Sequence, residues 1–218
     1  MSAILESLRQ IAALGGPVVV ILLIISVVTL AAILYKLWQF SAAGVGRHKA
    51  LQASVAAWDS GDRGGAVAAL KTSKSYLAPV VEMAFAAGPG DTKRLEAEAE
   101  VRFARLEGGF RLLDSVAQLA PLLGLFGTVL GMIEAFQSLQ DAGSQVDPSL
   151  LAGGIWVALL TTAVGLAVAM PTAMVLSWFE SRMDAERVTA ERAIASILHP
   201  QGRWGDVAQA ATEEPSLA

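Results

Sequence analysis

The chain has 218 residues, of which 54% are hydrophobic and 17% charged, with a formal net charge of -4 at pH 7. Soluble domains carry about 45–50% apolar and about 25% charged residues, so a disordered chain and a small disulfide scaffold are both excluded. The acidic balance leaves no basic footprint for nucleic acid, and the absence of cysteine removes disulfides, thiolate zinc sites and cysteine nucleophiles.

The apolar excess is gathered into three stretches. No formal charge falls on the 26 residues between Arg9 and Lys36, the 19 between Asp114 and Glu134, or the 32 between Asp147 and Glu180. A membrane-spanning helix needs about 20 mostly apolar residues. The three stretches therefore predict an all-α, polytopic membrane protein with spans over 17–40, 115–138 and 151–178. The alternative is a soluble bundle of unusually apolar helices. The first stretch is too long for the core of a signal peptide, and its leader balances Glu6 against Arg9 rather than being basic. It is expected to be a retained helix.

Charge orients the spans. Ten Lys and Arg lie between Ser41 and Arg111, whereas the connection over residues 139–152 has none. Positive residues favour the cytoplasmic side, which places 41–114 and the tail inside and residues 1–16 and 139–150 outside.

The inside segments read as helices. Asp59-Ser60-Gly61-Asp62 and Gly88-Pro89-Gly90-Asp91 punctuate residues 41–111 into short helices and a longer one. Asp91 or Thr92 is a candidate cap for the longer one, with Glu98/Arg102 and Glu107/Arg111 as i,i+4 pairs. No proline falls between Thr92 and Ala120, so this helix is expected to run straight into the second span. The third span is expected to continue over 179–200 as a solvated, alternately charged face until His199-Pro200 stops it. Residues 201–218, small and polar, are expected to be disordered.

Soluble-enzyme chemistry finds no foothold. The glycines of 124–131 lie inside an apolar span and lack the lysine of a phosphate-binding loop. His48 and His199 stand alone in the sequence and read as surface or interface residues rather than metal ligands. No serine has an evident His/Asp pair. No catalytic residue, metal site or cofactor is expected.

The interior of spans two and three is more informative. Gly124, Gly127 and Gly131 form one small-residue stripe, and Gly154, Ala158, Thr161, Gly165, Ala169 and Ala173 form another. Such stripes let helix backbones approach closely in lipid. Pro121 and Pro171 are candidate breaks in the helical ladder. Thr128, Thr161 and Thr162 are polar side chains within the spans. Each can satisfy itself on a neighbouring carbonyl, and adjacent Thr161 and Thr162 point about 100° apart, so at most one faces a given pore. Asp114 and Glu134 fall near the ends of span two, where a carboxylate is less costly.

Two segments carry a resemblance. PLLGLFGTVLGMIEAF over 121–136 and GIWVALLTTAVGLAVAMP over 154–171 are similar, in order and spacing, to the second- and third-span signatures of the ExbB/TolQ/MotA proton-channel family. Three spans rather than four point to its ExbB/TolQ branch, with ExbB the nearer in general likeness. The resemblance implies a bacterial inner-membrane protein, its outer segments periplasmic and its C-terminus cytoplasmic, and a homopentameric ring. The ring would enclose an ExbD/TolR-like single-span partner bearing a membrane aspartate. Proton flow would drive work passed on by a TonB- or TolA-like protein. Thr128 and Thr162 match the family's pore-facing threonines, and Thr161, an added neighbour, is an ion-pathway candidate with them. Many members have a glutamate where this chain has Val157, so any proton path here rests on threonines, water and the partner's acid. The alternatives are a TolQ-like subunit of the envelope-maintenance motor and a helical membrane scaffold that does not conduct.

Overall fold

The computed structural model describes residues 16–141 and 148–200, and these are helical with short connections. The expectations for the N-terminal segment, for residues 142–147 and for the tail over 201–218 lie outside the described residues. Seven α-helices are described: α1 (Gly16–Ala43), α2 (Lys49–Asp59), α3 (Arg63–Lys71), α4 (Ala78–Phe85), α5 (Thr92–Glu107), α6 (Phe110–Asp141) and α7 (Pro148–Leu198). Helices α1, α6 and α7 are long and apolar enough to cross a membrane. The fold is all-α, with three candidate spans and a last helix of 51 residues.

The chain divides into two compact units. The first, the apolar unit, holds the described residues up to Tyr35 and those from Gly109 to Phe179. Here Val18 and Leu22 of α1 pack with Ala120 of α6 and Ala169 of α7, flanked by Val116, Leu123, Val164 and Val168. Phe110 stacks on Phe179, with ring centroids 5.6 Å apart. Most of the large side chains in this unit face outward: Ile24 and Val27 on α1, Leu122 and Phe126 on α6, and Trp156 and Met174 on α7 are more than half exposed. Large exposed apolar surface of this kind needs lipid or protein to cover it.

The second, the charged unit, holds residues 36–108 and the described residues from Glu180 onward. Its core is built from larger side chains, among them Leu51, Leu77, Val80, Leu95, Phe103 and Met183. The predicted punctuation falls where the helices end. Asp62 caps α3 by accepting from the Gly65 N–H at 2.8 Å, and a single 3₁₀ turn over Pro89–Asp91 leads into α5. Lys36 donates from Nζ to the Leu106 carbonyl at 3.0 Å, satisfying one of the last-turn acceptors that α5 leaves open.

Three expectations about the helices need correction. The helix from Thr92 does not run straight into the second span, because α5 ends at Glu107 and α6 starts at Phe110. Between them Gly109 adopts φ +93°, a left-handed conformation that glycine reaches without strain. A glycine pair breaks this helix where no proline does. Conversely, Pro121 and Pro171 sit inside continuous helices, so each removes one ladder bond without ending its helix. Finally, Glu107 pairs with Arg187 of α7 rather than with Arg111.

Candidate functional site

The two small-residue stripes meet each other within the chain. On α6, Ala120, Gly124, Gly127, Gly131 and Ala135 are buried at spacings of three and four. On α7, Ala158, Thr161, Ala169 and Thr172 are buried. A Cβ added at Gly127 would lie 2.7 Å from Cβ of Thr161, and one at Gly165 would lie 2.6 Å from the Ala120 carbonyl oxygen. Gly131 faces Ala158, and Gly154 faces Ala135. Real side-chain contacts do not come that close, so only glycine fits at 127, 154 and 165, while a Cβ at Gly131 would press on Ala158 at 3.2 Å. The α7 stripe departs from expectation at its lower end, where Thr172 is buried and Ala173 exposed.

The three threonines are distributed unequally around this seam. Thr161 is 2% exposed; its hydroxyl lies 2.7 Å from the Ala158 carbonyl of its own helix and 3.1 Å from the Gly124 carbonyl across the seam. One hydroxyl hydrogen shared between these acceptors is fully engaged inside the seam. Thr162 is half-buried, with its Oγ1 at the outer limit of bonding, 3.4 Å from the same Gly124 carbonyl. Thr128, also half-buried, donates to the Leu125 carbonyl one turn back at 2.6 Å. Thr128 and Thr162 thus keep lone pairs at the edge of the seam, whereas Thr161 ties its two helices together. Val157 is half-buried on α7.

A second constellation, which sequence reasoning missed, lies in the charged unit. Glu186 of α7 is 2% exposed and gathers donors on both oxygens. Its Oε2 accepts from His48 Nε2 at 2.6 Å and from the Tyr76 hydroxyl at 2.9 Å. Its Oε1 accepts from the Gly46 N–H at 2.9 Å and lies 3.5 Å from Arg182 Nη2. Because a carboxylate only accepts, His48 carries a proton on Nε2, and its Nδ1 lies 3.1 Å from the Ser75 hydroxyl. Ser75 in turn accepts from the Leu77 N–H at 3.2 Å.

Burial alone would push the Glu186 carboxyl up, but the hydrogen bond and charge of His48, then Tyr76 and Arg182, outweigh it and hold it below the ordinary 4.5. Tyr76 is driven the other way, first by burial and then by the adjacent Glu186 charge, so its phenol stays protonated. The line Ser75–His48–Glu186 has the residue types of an acyl-transfer triad. Ser75 is 5% exposed and engaged in the network, however, so the line is a structural knot and not a nucleophile site.

Two expectations are overturned by this knot. His48 is 7% exposed rather than at the surface, and the charged face of α7 is not wholly solvated. His199, by contrast, is exposed. Apart from Arg182, one turn back on the same helix, the partners of Glu186 lie 110 to 140 residues away in the chain, so no local spacing announces them. Gly46 was the available signal. It adopts φ +81°, and a Cβ there would run into the Arg182 guanidinium. Among the described residues no group of three His, Cys, Asp or Glu could hold a metal ion.

Taken together, a close-packed seam of glycine, alanine and threonine between two apolar helices, with further hydroxyls at its edge, defines a polytopic membrane protein. The sequence pattern of the MotA/TolQ/ExbB proton channel family matches residues 73–192, and the chain belongs to that family. Over 154 residues it is 32% identical to an ExbB homologue of Methanothermobacter thermautotrophicus named for biopolymer transport, covering 67% of this chain and 52% of that protein. It is 41% identical over 85 residues to the biopolymer transport protein ExbB1 of Vibrio cholerae, covering 38% of this chain and 37% of that one. It is also 40% identical over 80 residues to the Tol-Pal system protein TolQ of Haemophilus influenzae, covering 37% and 35%. In these matches the chain spans about half or less of the relatives' length.

Proposed function

We propose that the chain is the proton-channel subunit of an inner-membrane motor, most like ExbB, that couples the proton motive force to TonB-dependent outer-membrane transport. The observation that carries this reading is the pair of hydroxyls at the edge of the seam. Thr128 and Thr162 are half-buried on neighbouring spans and retain acceptor capacity, as a chain of water molecules relaying protons would require. No acid lies between Asp147 and Glu180, Val157 stands where a family glutamate is common, and Glu134 falls near the end of span two, so the titrating carboxylate is assigned to a partner. That partner is an ExbD/TolR-like single-span protein with a membrane aspartate, held inside a ring of copies of this chain, with five as the expected number. The outward apolar faces of α1, α6 and α7 are available to lipid and to neighbouring copies.

In this reading residues 1–16 and 139–150 are periplasmic, 41–114 and 179–218 are cytoplasmic, and the spans fall at 17–40, 115–138 and 151–178. The ten cations of 41–111 support that orientation. The protein transports protons, uses no cofactor and is not an enzyme. Gly124, Gly127, Gly131, Gly154, Ala158, Gly165 and Ala169 hold the spans together, with Thr161 fastening the same seam.

The TolQ role remains the second reading, because the Haemophilus influenzae TolQ matches at nearly the same identity as the Vibrio cholerae protein. Co-purification with the neighbouring single-span protein, followed by proton uptake into vesicles under a membrane potential, tests the proposal. Uptake that requires the partner's membrane aspartate supports it. An assembled complex that never conducts would leave a scaffold.

A further inference from the structure

Beyond proton conduction, we infer that the turn after α1 is a docking surface for the anionic phospholipid headgroups of the membrane that α1 crosses, built from Arg47, Lys49 and Lys74. Charge is segregated in the charged unit. Residues 36–58 and 63–81 hold six cations, Lys36, Arg47, Lys49, Arg63, Lys71 and Lys74, and no acid, whereas α5 carries four glutamates. The fold gathers three of those cations around one turn. Gly44 and Gly46 take φ +71° and +81°, which ends α1, and the Arg47 N–H donates to the Gly44 carbonyl at 2.9 Å. The segment of Lys74 packs on this turn. The Tyr76 N–H donates to the Ala43 carbonyl at 3.2 Å, and a Cβ at Gly44 would lie 2.5 Å from the Lys74 carbonyl oxygen.

Arg47, Lys49 and Lys74 are exposed, and among the described residues none has a carboxylate within salt-bridge reach. Glu186, which accepts from the Gly46 N–H, is balanced by Arg182 at 3.5 Å and does not cancel them. Depth selects the partner. Trp38 is 67% exposed and Leu37 42%, and a tryptophan beside aliphatic surface suits the boundary between hydrocarbon and headgroups. From Trp38 to Ala43 the helix advances about 8 Å. The headgroup layer is about 5–8 Å deep on each side, so the three cations stand at phosphate level. An anionic lipid is held at that depth by its own chains, whereas a soluble anion is not. The inference rests on α1 crossing a membrane and not on proton conduction.

The full chain in its assembled form is reconstituted into vesicles of equimolar phosphatidylcholine and phosphatidylglycerol, with bromine on the acyl chains of one lipid or the other. Bromine quenches tryptophan on contact, and the difference between the native chain and Trp38→Phe isolates the lipid beside Trp38. Phosphatidylglycerol is expected to be favoured there at least about fivefold, the worth of one cation at a charged surface. The preference should fall in molar salt, where the screening length is about 3 Å. Arg47→Gln, Lys49→Gln and Lys74→Gln together should bring it to parity, while Lys93→Gln with Arg94→Gln on α5 leaves it unchanged. Parity in the native chain would overturn the inference, as would a preference that survives the triple substitution. Parity in the native chain together with a triple variant that sheds its copurifying single-span protein would overturn it in favour of a protein partner.

Discussion

The apolar unit and the charged unit solve the same packing problem with opposite residues. In the apolar unit the closest crossing is made of Gly124, Gly127, Gly131 and Gly165, and the buried polar groups are threonines bonded to nearby carbonyls. Where lipid gives no hydrophobic push between helices, close dispersion contact and hydroxyl bonds must hold them. In the charged unit large side chains fill the core, and an ionised carboxylate sits at 2% exposure. That is tolerable because donors meet both of its oxygens. The difference teaches where each unit will fail. The seam cannot accept added volume, and the Glu186 knot cannot accept a missing partner.

The largest effect should follow Glu186→Ala. Removing the carboxylate leaves Arg182, His48, Tyr76 and the Gly46 N–H without their acceptor, at a cost of about 3–5 kcal/mol. Loss of protease resistance over residues 44–77 measures it, with the apolar helices retained. Gly127→Leu attacks the other unit. Its side chain would drive into Thr161, costing about 3 kcal/mol and parting α6 from α7. Cysteine pairs across that crossing should then cease to cross-link. Tyr76→Phe is milder, since it removes one hydrogen bond to a charged group, worth about 1.5 kcal/mol.

Acid should separate the units more gently still. The Glu186 carboxyl is held below its ordinary 4.5, so its contribution is fully present above that value and is lost as pH falls through the lower, folded value. Acid titration to below about pH 4.5 should loosen the charged unit first, as read by hydrogen exchange at Gly46. The glycine seam, which contains no carboxylate, should be unmoved over the same range.

The two units were also unequally legible in the sequence. The three long uncharged stretches show where a helix can cross, and the three-to-four spacing of Gly124, Gly127, Gly131, Ala158 and Gly165 shows which face packs. Both are local periodicities. The stripe slipped only at its end, where Thr172 rather than Ala173 turns inward, because one residue on a helix shifts the face by about 100°. The break at Gly108-Gly109 is set by a glycine pair rather than a proline, with Gly109 in a left-handed conformation that ends the helix. Beyond Gly46 and the i,i+4 spacing of Arg182, the Glu186 knot leaves no trace in local pattern. Its alternating charges fit a solvated helix, and only the tertiary return of residues 46–76 reveals one of them as buried.

The proton path is tested most directly by one series, with flux into vesicles measured beside assembly for Thr128→Val, Thr162→Val and Thr161→Val. Valine keeps the shape of threonine and removes the hydroxyl. The account predicts that Thr128→Val and Thr162→Val assemble normally and lose at least about tenfold in flux, a loss of roughly 1.4 kcal/mol in barrier terms. Thr161→Val, whose hydroxyl is engaged inside the seam, should conduct. Full flux in both Thr128→Val and Thr162→Val, from intact complexes, would contradict the assignment of the pathway and leave the chain as a scaffold.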